Sequence, residues 1–137
     1  MPIRTTVLLN IRPEIAEALL SENMSAEERF QNITIRPILK LQHELLIDVF
    51  KNYIAKHKNV FYELSLPKQL DYIENAIHKD MKFRNSLKGM IIGQFTIEEY
   101  SAYTQNSSAL NKRIMNMVKA SFIDHLQVFM PNLAKAI

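Results

Sequence analysis

IRPILKLQHELLIDVFKNYI, residues Ile35–Ile54, decides the fold. Apolar side chains recur at 38, 41, 45 and 49, and again at 39, 46, 50 and 53, with only Gln42 interrupting the second row. Steps of three and four place both rows side by side on a helix, so the stretch predicts a helix with a wide apolar face. Such a face needs other elements to cover it. No run of the chain alternates with the period of two that a strand would show, so those elements are helices as well.

The rest of the composition agrees. The chain has 137 residues, enough for one buried core, and 47% of them are hydrophobic against 23% charged. Two glycines and five prolines leave few breakers and many helix formers. No linker or low-complexity tract divides it. The fold class expected is all-α, a single-domain bundle of six or seven helices over residues 1–137.

The tripeptide Ile-Arg-Pro occurs twice, at 11–13 and 35–37, without a longer repeat around it. Asn10 and Thr34 precede the two copies and suit helix N-caps, which would put Pro13 and Pro37 in first turns, where no N–H is needed. Proline at the first helical position is a second register. A third reading is one long helix from about Ser25 to His57, kinked at Pro37.

Other helices announce themselves. Ser25-Ala-Glu-Glu28 and Thr96-Ile-Glu-Glu99 are capping boxes, the second opening a short helix through Tyr100 and Tyr103. Ser65-Leu-Pro67 opens a helix with Leu70, Ile73, Ala76 and Ile77 inward. Met81–Ile92 reads as a helix closed by Gly93 in a left-handed conformation, with Gly89 marking a close approach by another backbone. Residues 108–129 carry Leu110, Ile114, Met117, Val118, Phe122 and Phe129 at helical spacing.

Several chemistries are excluded or disfavoured. The absence of cysteine removes disulfides, thiolate nucleophiles and Cys-ligated metals. His43, His57, His78 and His125 form neither Glu-x-x-His nor His-x-x-x-His, so no metal is expected. There is no Gly-x-Ser-x-Gly elbow and no glycine-rich phosphate loop, and nothing calls for a cofactor. Residues 86–104 have the rhythm of a helix-turn-helix, but their second helix carries Glu98 and Glu99 and no base, which argues against nucleic acid. Apolar runs are too short for a membrane span or a signal core, so a cytoplasmic protein is expected.

The candidate site residues are polar. Arg12 and Arg36 would sit at helix N-termini, where free N–H groups and a guanidinium together suit an anion. Pairing with Glu14 or Glu28 is the competing reading. A binding or catalytic cavity would draw Arg36, Gln42 and Arg113 together beside an ionisable base. An interaction protein would instead expose an apolar strip. Met115 and Met117 lie on different faces of the last helix, and one of them with Ile123 and Met130 would form such a strip.

At RFQNITIRPILKLQHELL (29–46), GMIIGQFTIEEYSAY (89–103) and LNKR (110–113) the chain resembles a group of uncharacterised small all-helical bacterial proteins, some loosely labelled glyoxalase. The likeness spans roughly residues 12–122 and brings no functional residues with it. The chemistry of that label does not transfer either, because glyoxalases of the usual kind build a metal site on βαβββ modules and this chain has no strand signals. The expected function is therefore a non-enzymatic helical binding or interaction protein that self-associates as a homo-oligomer through an apolar helix surface. The alternative is a helical protein, enzymatic or not, that binds a small anion or carboxylate in a pocket lined by Arg12, Arg36, Gln42 and Arg113.

Overall fold

A computed structural model of the chain describes residues 2–14 and 21–129. The described residues contain no strand. Their helices are α1 (Ile3–Ile11), α2 (Ala26–Phe30), α3 (Arg36–Lys56), α4 (Leu66–His78), α5 (Met81–Ile92), α6 (Ile97–Thr104) and α7 (Ser107–Asp124), with 3₁₀ turns at Val60–Glu63 and Leu126–Phe129. The all-α bundle is thus observed.

α2 and α3 are one rod. Between them Gln31–Ile35 forms a π-helical segment, in which the Arg36 N–H bonds the Gln31 carbonyl five residues back. The cause is Pro37. In a regular helix its ring would press on the carbonyl four residues earlier, and it has no N–H to offer that carbonyl. A wider turn just before it makes room and lets the helix continue. Of the three readings of Pro37 the continuous helix is the observed one, and Ser25 caps it by accepting the Glu28 N–H at 3.1 Å. Thr34 is accordingly not a cap but a buried residue of the π segment.

The first Ile-Arg-Pro is corrected too. Asn10 lies inside α1, and Arg12 closes that helix in an extended conformation (φ −72°, ψ 137°) instead of opening one. Residues 15–20, where a helix beginning at Pro13 would run, lie outside the described residues. α1 itself is absent from the expected elements.

The core lies where α3, α4, α5 and α7 meet. α4 packs against α5 and α7, α3 against α5 and α7, and α6 against α7. Ile38, Leu46, Phe50 and Ile54 of α3 point inward, while Leu45, expected in the apolar row, is exposed. Phe50 is the hub, with ring centroids of Tyr53, Phe61, Tyr72, Phe83, Phe122 and Phe129 all 4.7–6.3 Å away. The expected helix through Phe129 ends early, at Asp124, and a 3₁₀ turn then brings Phe129 back onto Phe50.

Both glycines of α5 and its end behave differently from the expectation. Gly93 does end the helix, but in right-handed geometry (φ −60°). Gly89 is exposed, and a Cβ built on it meets nothing within 4 Å, so no backbone approaches there. Gly89→Ala is therefore expected to stabilise the fold by about 1 kcal/mol, the helix-propensity difference at an open position. Urea denaturation checks this.

Candidate functional site

α1 is fastened by charge rather than by apolar packing. Arg4 donates to the carbonyls of Phe95 (2.7 Å) and Gly93 (2.8 Å). Arg12 donates to the Gln94 carbonyl (2.7 Å) and, with both terminal nitrogens, to the Glu99 carboxylate (2.6 and 2.7 Å). Two arginines thus take three successive carbonyls just past the end of α5, while the last carbonyls of the helix itself accept from the Gly93, Gln94 and Phe95 N–H groups and from the Gln42 side chain.

Glu99 is the centre of this clasp. Its carboxylate completes the capping box of α6 by accepting the Thr96 N–H at 2.8 Å, while Thr96 Oγ accepts the Glu99 N–H. The same carboxylate accepts the Thr34 hydroxyl at 2.9 Å, so it joins α1, the π segment and α6. The ion pair is nearly dry, with the Arg12 and Glu99 side chains 7% and 16% exposed. Burial, the largest single influence, pushes the Glu99 carboxyl up. The Arg12 hydrogen bonds, the Thr96 N–H, the Arg12 charge and Thr34 together outweigh it and hold the group below the usual carboxylate range.

The clasp leaves one face of α1 turned outward. Thr5, Leu8 and Arg12 form its inward row, and only Thr5 of the helix is fully buried. Ile3, Val7 and Ile11, spaced by four and so on one face, are 83%, 51% and 51% exposed. Ile97 and Tyr100 of α6 are also exposed, by 64% and 50%, and line a shallow depression of about 220 Å³ together with Arg4 of α1. An apolar stripe therefore faces solvent at this end of the bundle, with the exposed Arg4 next to Ile3.

The other sequence-derived candidates do not converge. Arg36 stands inside a continuous helix, so it has no free N–H groups beside it, and its Nε donates to Asn32 Oδ1 at 2.7 Å. The anion site built on the start of a helix at Pro37 is thereby withdrawn. Gln42 bridges α3 to α5 by donating to the Met90 carbonyl at 3.1 Å. Arg113 donates to Gln31 at 2.8 Å and lies 3.6 Å from the Glu27 carboxylate. Arg36 and Arg113 line two neighbouring depressions that share Met117 and Ala120 along α7, while Arg12 and Gln42 lie elsewhere. Of the apolar strip expected on α7, Met115 is fully buried, Met117 and Ile123 pack half-buried against the core, and Met130 lies outside the described residues.

The histidines are dispersed. The rings of His43 and His125 lie 4.2 Å apart with their planes tilted by 56°, and His78 lies 3.7 Å from Glu74. His57 belongs to a hollow of about 390 Å³ between the C-terminal end of α3 and the start of α5, which the sequence reading missed. One signal for it was readable: Asp80, an N-cap residue whose Oδ1 accepts the Phe83 N–H at 3.2 Å. No helix among the described residues is long and apolar enough to cross a membrane. Compared with protein-family models, with curated proteins and with solved structures, the chain matches none.

Proposed function

We propose that the protein is a non-enzymatic helical interaction protein that self-associates through the outward face of α1. The observation that carries this reading is a helix whose apolar residues Ile3, Val7 and Ile11 face solvent while arginines tie it to the bundle. Ordinary amphipathic packing would have turned Ile3, Val7 and Ile11 inward.

The stripe is also self-complementary. Read from either end, Ile3–Val7–Ile11 is the same pattern about Val7. A two-fold axis through Val7 would set Ile3 against Ile11 of a second copy, as an isologous interface requires. A nine-residue helix is roughly 14 Å long. A contact through one face of so short a helix stays below the roughly 1,200 Å² of a standard-size interface, so the dimer is weak and concentration-dependent. The anion-pocket alternative has less support, since Arg12, Arg36 and Arg113 each hold a protein partner.

Sedimentation velocity across a concentration series tests the reading. The wild type should move toward dimer as concentration rises, and Val7→Glu should stay monomeric with an unchanged melting curve, because Val7 touches no core. A wild type that stays monomeric throughout, or a Val7→Glu variant that dimerises equally, would overturn it.

A further inference from the structure

The hollow between α3 and α5 ends a column of three rings. Tyr53 has Phe83 at 4.0 Å (29° between planes) on one side and His57 at 4.1 Å (30°) on the other. Two rings so close and so nearly parallel to Tyr53 cannot fit side by side on one of its faces, so they occupy opposite faces. Phe83 is buried and His57 exposed, which makes His57 the outer leaf. Among the described residues no ring other than Tyr53 stacks on it.

The column is fixed in place. His57 Nδ1 lies 2.8 Å from the Tyr53 carbonyl. A carbonyl only accepts, so Nδ1 carries the proton and the ring cannot turn freely. The Tyr53 hydroxyl donates to Asp80 Oδ2 at 2.8 Å, and Asp80 Oδ1 accepts from Phe83, so both carboxylate oxygens are occupied by the protein's own donors. Burial first, then the Asp80 hydrogen bond and charge, push the Tyr53 phenol above its usual range. The Phe83 N–H and then the Tyr53 hydroxyl hold Asp80 below its own. This pair keeps its proton where it is, which suits binding rather than acid–base chemistry.

Asp80 is the one acid among the lining residues, set against two lysines, so the balance of charge in the hollow is positive. Lys56 and Lys82 line the hollow, are exposed, and have no ion-pair partner among the described residues. A volume of about 390 Å³ lies in the range of small-molecule sites, roughly 300–1,000 Å³. We propose that this hollow binds a small planar anion, an aromatic ring carrying a carboxylate or phosphate, stacked on His57 and neutralised by Lys56 and Lys82. A neutral ring would leave both lysines unused, and a non-planar anion would leave the face of the column wet.

The test is an NMR titration of the full chain at low salt with benzoate and adenosine monophosphate, which separate the carboxylate from the phosphate form of the ligand. Cyclohexanecarboxylate serves as the non-planar control and benzyl alcohol as the uncharged one. At least one planar anion should shift the His57 ring and the amides around Phe83 saturably, binding about tenfold more tightly than either control. The double variant Lys56→Gln, Lys82→Gln should lose about tenfold of that affinity, and both positions are exposed, so its fold should be intact. No saturable shift at the hollow with either planar anion at millimolar concentration would overturn the proposal. So would equal binding of cyclohexanecarboxylate, or undiminished binding by the double variant.

Discussion

Phe50→Ala should lower the unfolding free energy by about 3–5 kcal/mol, the range for removing a buried aromatic ring. Phe50 is fully buried, and its neighbours come from α3, both 3₁₀ turns, α4, α5 and α7. Six surrounding rings cannot all move into the space it vacates, so the loss of apolar transfer is joined by a cavity and by lost edge-to-face contacts. A domain of this size has only about 5–15 kcal/mol in total. The variant should accordingly unfold at far lower denaturant, while Phe50→Leu, which keeps much of the volume, should cost about half as much. Chemical denaturation of the three proteins checks this, and a loss below about 1 kcal/mol for alanine would mean that Phe50 is not the hub.

The second large effect belongs to Glu99→Gln. The amide keeps the shape but leaves the Arg12 charge nearly dry and without its counter-ion, a cost of about 3 kcal/mol. The same change weakens the capping of α6 and the hold on Thr34. The protein has one way to limit the damage, which is to release α1 and return Arg12 to water. Hydrogen exchange should therefore find the α1 amides unprotected in Glu99→Gln while the amides of α4 and α7 keep their protection. Acid should do the same to the wild type. The folded Glu99 value is depressed, so the stability it contributes is complete above the ordinary glutamate value of about 4.3 and is lost as pH falls through the folded value. Unchanged α1 protection in the variant would contradict the clasp.

The parts of this fold that were legible are those that depend on local pattern. The Thr96–Glu99 capping box, the burial of Ile73, Ala76 and Ile77 in α4 and the span Met81–Ile92 stand as read, because caps and periodicity act within a few residues, whereas Leu70 is only half-buried and Gln69 is buried beside it. Pro37 was ambiguous for a physical reason. Proline in a first turn and proline behind a π segment leave the same letters in the sequence, and only the packing of Thr34 and Ile35 decides between them. α1 was illegible because Ile3, Val7, Leu8, Leu9 and Ile11 surround the helix instead of marking one inward face. Its attachment runs from guanidinium groups to backbone carbonyls some 90 residues away, and carbonyls have no sequence signature. Arg12, expected at the start of a helix beside an anion or the nearby Glu14 or Glu28, stands at the end of α1 and pairs with Glu99. In the hollow, Tyr53 and His57 at i and i+4 and Asp80 before α5 could each be read, but not that the fold sets them together.

The most direct test of self-association through α1 uses the absence of cysteine from the chain. A two-fold axis through Val7 brings that residue within disulfide reach of its own copy, whereas Ile3 then faces Ile11 of the partner. Mild oxidation of Val7→Cys should give a covalent dimer. Ile3→Cys or Ile11→Cys alone should give little, and an equal mixture of those two should give the heterodisulfide. No covalent dimer from Val7→Cys beyond that of an exposed control such as Ser101→Cys, or self-linked Ile3→Cys as the main product, would contradict it.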